Sequence, residues 1–396
     1  MRNRDYIGWL AGETLSELGT SLSGFAYPLL ILFATGSPSQ TGVVAAAGSV
    51  GNLATLLLGG ALADRWPRRT LLIAGPLIQA AVVGTVAAAV LAGHVVLAHV
   101  AAAGFLDGAI VGMTIGASRA ALRRLVPAER YPAAAAQRHA RDMGVRVAGP
   151  PLGGVLFAAG RAVPFVVDAV SYLAAVVGVL LIRRPLGPDP VEGAEHEPLL
   201  RSVRAGVRHM LSVPYLRFIA VWAAAMNMLG SGLALLVILL VRHRGGSPEV
   251  IGATSALGAI GGVLGAIASG WIIRRVAGHR LVIALSFAIA GAAFAMALVP
   301  TPWGIGAALG LVSFIAVPLN VVFETYEMKI VPDHLLGRVT SAVDLSANGL
   351  RWIAPLALGA IVEATSATTA AVVWGALFTV VAVVTLANRS VRELRI

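Results

Sequence analysis

A chain of 396 residues that is 58% hydrophobic and only 12% charged, with a mean hydropathy of +0.84, is not a soluble domain, where about a quarter of residues are charged. It has no cysteine, which excludes a disulfide framework, thiolate chemistry and a cysteine-held zinc cluster. The net charge of +11 is distributed as a topology signal rather than as a nucleic-acid-binding patch.

Runs of about 18 or more apolar residues read as transmembrane helices. Breaking the chain at Pro, Gly and charge clusters predicts twelve of them, at 6–34, 42–62, 70–92, 95–117, 137–159, 164–183, 214–241, 249–272, 280–300, 303–328, 336–362 and 367–387. The first residues, MRNRDYIGWLAGETLSELG, are too acidic for a cleaved signal, lack an A-x-A exit and read as the first span. With the N-terminus inside, Arg161, Arg242 and Arg244 fall on outer loops and Arg146 and Arg351 within spans. Every other Lys or Arg falls on the inner side, so both termini are expected in the cytoplasm. The connection at 183–211 is first rich in Pro and Glu. From about 197 it is patterned as an amphipathic helix, with Arg201, Arg204 and Arg208 on one face, suited to an anionic inner leaflet. The expected organisation is a six-helix bundle over 1–184, a cytoplasmic linker over 185–213 and a second six-helix bundle over 214–396.

The halves repeat. SPSQTG at 37–42 returns as SPEVIG at 247–252, and at that offset of 210 Gly60 matches Gly270 and Arg65 matches Arg275. LVP ending at Pro127 returns as IVP ending at Pro332, and at that offset of 205 Arg146 matches Arg351 and Pro150 matches Pro355. The fold expected is therefore an all-α polytopic membrane protein of two pseudo-symmetric bundles, an architecture that secondary transporters use.

Lys329, the only lysine, follows Met328, so the Gly-Lys-[Ser/Thr] of a nucleotide-binding loop is absent and ATP hydrolysis within the chain is excluded. The eight histidines are scattered over loops and span ends, not at metal-ligand spacing, so neither an enzyme nor a metal site is expected. Coupling to protons needs a carboxylate that can take up and release a proton. The candidates are Glu13 and Glu17, four residues apart on one face of span 1, and Asp107, mid-span in a ladder of Gly104, Gly108, Gly112 and Gly116. That ladder is a close-packing face for another helix. Asp168 lies near the start of its span, where the helix dipole favours an acid, and reads as structural. Asp142 with Arg146, and Asp344 with Arg351, read as local ion pairs, and Glu324 and Glu327 as intramembrane carboxylates or flank charges. Met226 and Phe323, with Trp222, Met228, Phe314 and Tyr326, suit either an adaptable apolar cavity or ordinary packing.

Two stretches carry a family resemblance. GGALADRWPRR at 59–69 resembles the loop 2–3 signature of the major facilitator superfamily, G-x-x-x-D-R-x-G-R-[RK]. Gly60, Asp64, Arg65, Arg68 and Arg69 match in place, and Pro67 stands for the usual glycine. GPPLGG at 149–154 is similar to the fifth-helix antiporter motif, with Gly149, Pro150, Gly153 and Gly154 matching. With LVPAERYPAAAAQ and VPFVVDAVSYL, the chain looks like the twelve-span subgroup of macrolide-efflux and siderophore-export proteins. That resemblance implies proton-driven export of a small lipophilic or amphiphilic compound, with the alternatives of an importer or a narrow metabolite or siderophore exporter. It also implies a cavity lined by spans 1, 4, 7 and 10, which brings Glu13, Glu17, Asp107, Asn227 and Asn320 near it, with Met226, Phe323 and Glu324 on the same spans. Such a cavity is acidic, which favours neutral or cationic substrates. Asp64 is expected to latch onto the start of span 11, around Leu336–Arg338, as a cytoplasmic gate. No cofactor is expected beyond the proton gradient, and the expected partners are the substrate, protons and the bilayer, without nucleic acid. The expected state is a monomer in a bacterial cytoplasmic membrane.

Overall fold

The computed structural model describes residues 4–184, 186, 207–208, 210–275, 278–331, 339, 342–343 and 345–388, and for 57–65, 324 and 327–330 the backbone alone. In chain order its helices are α1 Arg4–Thr35, α2 Pro38–Arg65, α3 Arg68–Leu91, α4 Leu97–Leu125, a 3-10 turn at Ala128–Arg130, α5 Tyr131–Ala159, α6 Val163–Leu180, α7 Pro214–His243, α8 Pro248–Arg275, α9 Gly278–Leu298, α10 Pro302–Ile330, α11 Ile353–Ala364 and α12 Ala367–Ala387. The expected amphipathic segment with Arg201 and Arg204, the latch partner at Leu336–Arg338, and Asp344 lie outside the described residues.

The helix boundaries follow local chemistry. Proline begins α2, α7, α8 and α10, where its fixed φ suits a first turn and its missing N–H leaves no intrahelical bond unmade. Gly36 (φ 70°), Gly93 (φ 72°) and Gly245 (φ 78°) take the left-handed conformation just past α1, α3 and α7 and turn the chain there. Ser366 caps α12 by accepting the Thr369 N–H at 3.0 Å.

Ten helices among the described residues are long and apolar enough to cross a membrane. On outer faces Leu298 is 81% exposed, Ile267 77% and Leu91 75%, a placement suited to lipid and not to water. α5 is not among the ten, because Arg138, His139, Arg141, Asp142 and Arg146 occupy its first half. It also starts at Tyr131, earlier than the expected 137. The eleventh span departs further from expectation: it is interrupted by a turn at 350–352 before α11 begins at Ile353.

The chain forms two compact units. Unit 1 is Met1–Pro190 with Gly246–Ala256, and unit 2 is Val191–Gly245 with Leu257–Ile396. In unit 1, α2 and α4 pack so closely that a Cβ on Gly51 would overlap the Phe105 carbonyl and one on Gly108 would overlap Gly48. Thr55, one turn after Gly51, donates from Oγ1 to the Ala109 carbonyl at 2.6 Å. In unit 2, α8 and α10 repeat the contact: a Cβ on Gly261 would overlap the Gly310 carbonyl, and one on Gly265 the Phe314 carbonyl. Gly261 and Gly265 follow Gly51 and Thr55 by 210, and Gly310 and Phe314 follow Phe105 and Ala109 by 205, the two offsets of the sequence repeat. Unit 2 is further held by Trp374 of α12, whose indole lies against Gly232 and donates to the Leu229 carbonyl at 2.9 Å. Arg244 donates to the carbonyls of Val299, Met296 and Ala297, closing the C-terminal end of α9 with positive charge.

Candidate functional site

A deeply buried polar cluster lies in unit 1, where α1, α3, α4 and α6 meet. Asp107 of α4 is 8% exposed and accepts at Oδ1 from Gln79 Nε2 of α3 (2.9 Å) and Tyr172 OH of α6 (2.8 Å). Gln79 Nε2 also reaches Tyr172 OH at 3.2 Å, and Thr20 of α1 donates to the same phenol at 3.0 Å. One turn before Tyr172, Asp168 is fully buried and accepts at Oδ2 from Ser23 of α1 at 2.5 Å and at Oδ1 from Ser171 at 3.3 Å. Gly19 makes this approach possible, since a Cβ there would meet Asp168 Oδ1 at 2.7 Å. Among the described residues no basic side chain pairs with either carboxylate, so only hydroxyl and amide donors serve them.

The Glu13/Glu17 pair is divided. Glu13 accepts from Ser118 Oγ of α4 at 2.6 Å and pairs with Arg141 of α5 at 3.1 Å, the two side chains being 18% and 7% exposed. Arg141 also forks onto Asp142 Oδ1 through Nε (2.9 Å) and NH2 (2.7 Å), so Asp142 pairs with its neighbour and not with Arg146 as expected. Glu17, on the same helix, is exposed. An open groove of about 660 Å³ runs along α1 beside these groups, lined by Tyr6, Ile7, Leu10, Ala11, Thr14, Leu15 and Gln137. Its polar atoms are satisfied locally, Tyr6 OH donating to Gln137 Oε1 at 2.9 Å and Thr14 to the Leu10 carbonyl at 2.6 Å, which leaves a largely apolar wall.

The GPPLGG stretch of α5 faces two neighbours. A Cβ on Gly149 would overlap Ser21 of α1, and one on Gly153 would meet Phe25 Cδ1 at 3.1 Å. Gly154 instead touches the start of α8, where a Cβ would meet the Pro248 carbonyl carbon at 3.2 Å and Glu249 Cα at 3.3 Å. The contact is reciprocal: a Cβ on Gly252 would meet the Pro150 carbonyl carbon at 3.1 Å.

At the α2–α3 connection, the side chains of Gly60, Asp64 and Arg65 lie outside the described residues. Arg69 donates through NH2 to the Leu180 carbonyl at 3.2 Å, the last residue of α6, and Arg68 opens α3 beside it. In unit 2, Asn227 and Asn320 are exposed and Met226 is half-buried. Phe323 is buried against Trp222, ring centroids 4.4 Å apart. The side chain of Glu324 lies outside the described residues.

The sequence profile of the Major Facilitator Superfamily matches residues 10–355. The chain belongs to that superfamily. Its membership makes it a multi-pass membrane transporter and not an enzyme. The multidrug efflux pump Tap of Mycolicibacterium fortuitum is 26% identical over 367 residues, 88% of each chain. The enterobactin exporter EntS of Citrobacter koseri is 27% identical over 332 residues, 82% of this chain and 77% of the relative. A bacterial homolog of the human lysosomal transporter Spinster superposes with a TM-score of 0.78 at 16% identity, covering 100% of this chain and 99% of the other.

Against this superfamily background, sequence reasoning missed two groups. Asp168 was assigned to the helix dipole, yet its partner is Ser23, 145 residues away. Arg141 entered only among the inner-side basic residues, yet it pairs with both Glu13 and Asp142. The readable signals were the Asp168–Tyr172 spacing of four and the hydroxyls Thr20, Ser21 and Ser23 on the turn that precedes the apolar second half of span 1.

Proposed function

We propose that this superfamily member is a proton-coupled exporter of small lipophilic or amphiphilic compounds, working by alternating access in a bacterial cytoplasmic membrane with both termini in the cytoplasm. The observation that carries proton coupling is Asp107, a carboxyl enclosed in a membrane unit and held, among the described residues, by Gln79 and Tyr172. Intramembrane carboxyls of this kind are costly and mark proton or substrate paths. Similarity to Tap and EntS supports export over import.

In this reading α5 is the sliding element. Pro150 removes a backbone donor, and Gly149, Gly153 and Gly154 let α1 and the start of α8 press on its backbone, so that seam opens and closes without side-chain interlocking. Asp64 and Arg65 act as the cytoplasmic gate, anchored by Arg69 on the end of α6. The apolar groove along α1 suits a lipophilic body. Exposed Glu17, with Arg141 already engaged by two carboxylates, favours neutral or cationic compounds. Asn227, Met226, Asn320, Phe323 and Glu324 are the unit 2 residues we assign to the substrate path. A narrow siderophore exporter is the second reading, favoured by the similarity to EntS.

The test is ethidium efflux from an efflux-deficient bacterium expressing the protein, with and without a protonophore. Efflux that stops when the proton gradient collapses is expected. Efflux unaffected by the protonophore would contradict proton coupling.

A further inference from the structure

The hydrogen bonds around the two carboxyls of unit 1 form two runs that meet at residue Thr20. In one, Ser23 Oγ lies 2.5 Å from Asp168 Oδ2 and 3.3 Å from the Thr20 carbonyl; in the other, Thr20 Oγ1 donates to Tyr172 OH at 3.0 Å. Tyr172 carries this second run to Asp107, where Gln79 also donates. Ser23 is the pivot, because its single hydroxyl proton has two acceptors within reach, the Asp168 carboxylate and the Thr20 carbonyl. A second feature lies near the cluster. The Tyr27 hydroxyl, four residues after Ser23 on α1, belongs to a side chain 6% exposed and has no hydrogen-bond partner among the described residues. It lies within electrostatic range of both Asp107 and Asp168. A buried hydroxyl with no partner among the described residues, within electrostatic range of two carboxyls, is a position for a proton-carrying water, which needs both a donor and an acceptor.

We propose that Asp168 is a proton-binding residue of this transporter, with Ser23 as its switch and with Thr20 and Tyr172 as the residues that lie between it and Asp107. The proposal rests on the proton-coupled reading of the function and adds to Asp107 a second carboxyl on which a proton is held. When Asp168 is ionised, Ser23 donates to it. When a proton binds Oδ2, that proton is donated to Ser23 Oγ and the Ser23 proton turns to the Thr20 carbonyl, so no bond is lost and the change is passed into the backbone of α1. The titratable groups facing Asp168 from the packed helices are Tyr27 of α1, Asp107 of α4 and Tyr172 of α6, with Gln79 of α3 as a neutral donor.

The test is infrared difference spectroscopy of the purified protein across a pH titration, following the carbonyl stretch of protonated carboxyl groups. The wild-type protein is expected to show a titrating band that Asp168→Asn removes. Ser23→Ala is expected to keep the band and displace its midpoint by about one pH unit, tenfold in proton affinity. Ser23→Ala and Tyr27→Phe keep the test open if Asp168→Asn does not fold. A wild-type band in Asp168→Asn, or its loss in Glu17→Gln instead, overturns the proposal. So does a midpoint that moves when sodium chloride replaces choline chloride, which makes the site a sodium site. If ethidium transport by the wild type ignores the proton gradient while the Asp168 band titrates, the functional reading falls and the site stands.

Discussion

Ser231 of α7 donates a 2.7 Å hydrogen bond to the backbone carbonyl of Arg351, the residue at which the eleventh span breaks. Pro355, four residues on, has no N–H to return to that carbonyl and its ring crowds it, which leaves the carbonyl to Ser231. The chain instead tightens into i→i+3 bonds, Arg351 N–H to Asn348 and Ile353 N–H to Leu350, before α11 resumes. In unit 1 the same Arg–Pro spacing at Arg146 and Pro150 leaves α5 continuous. Ser231→Ala is expected to cost about 1 kcal/mol and to alter transport more than stability if the break is a hinge. Thermal melts and ethidium efflux of the variant, set beside Ser231→Thr as the conservative replacement, check this.

The Glu13–Arg141 pair is enclosed enough for its loss to matter, with side chains 18% and 7% exposed. Arg141→Ala leaves both Glu13 and Asp142 without their cation, and breaking such a pair from one side costs about 3–5 kcal/mol. Glu13→Gln keeps the Ser118 bond and is expected to be milder. Comparing melting temperatures of the two single variants and the double variant Glu13→Gln/Arg141→Leu measures the coupling. Equal and additive losses would show that the pair is ornamental.

On α5 the glycines are expected to differ by position. Gly154→Ala drives a methyl into the Pro248 carbonyl and Gly153→Leu drives a side chain into Phe25, so both are expected to block efflux while the protein still inserts. Gly144, which has nothing within 4 Å, is expected to tolerate alanine. Surface expression and efflux of the three variants, measured together, test the α5 seam. Full efflux by Gly154→Ala would remove it as a functional contact.

The spans and the repeat were legible in the sequence because Pro, Gly and charge punctuate long apolar runs, and because contacts such as Gly51–Phe105 recur at the offsets 210 and 205. The break at Arg351 was not, since a proline interrupts a helix only where its neighbours allow, and Ser231 lies 120 residues away. The ladder on α4 was read correctly as a close-packing face, but not its gradation: Gly108 and Gly112 meet α2 backbone, while Gly104 meets only the Ala47 Cβ at 3.9 Å. The acids were harder. Spacing put Glu13 and Glu17 on one face, but tertiary contacts engaged one with Arg141 and left the other exposed, and they buried Asp168 beyond what its position in the helix implied.

That gradation is itself testable. Gly108→Ala is expected to cost about 1–3 kcal/mol from forced separation of α2 and α4, and Gly104→Ala close to nothing. Melting temperatures of the two purified variants decide it.

The gate expectation rests on Asp64. Asp64→Asn keeps the shape and removes the charge, and it is expected to reduce ethidium efflux severalfold without reducing the amount of inserted protein. Wild-type efflux by Asp64→Asn would refute the gate role and leave Arg65, Arg68 and Arg69 as topology anchors.

The most direct measurement of the central claim uses the purified protein in proteoliposomes, with ethidium as the transported probe and a pH-sensitive dye on the opposite side. An imposed pH gradient is expected to drive ethidium accumulation, and ethidium added without a gradient is expected to move protons the other way. Ethidium flux that is the same with and without the gradient, and moves no protons, would show a facilitator and contradict proton-coupled export.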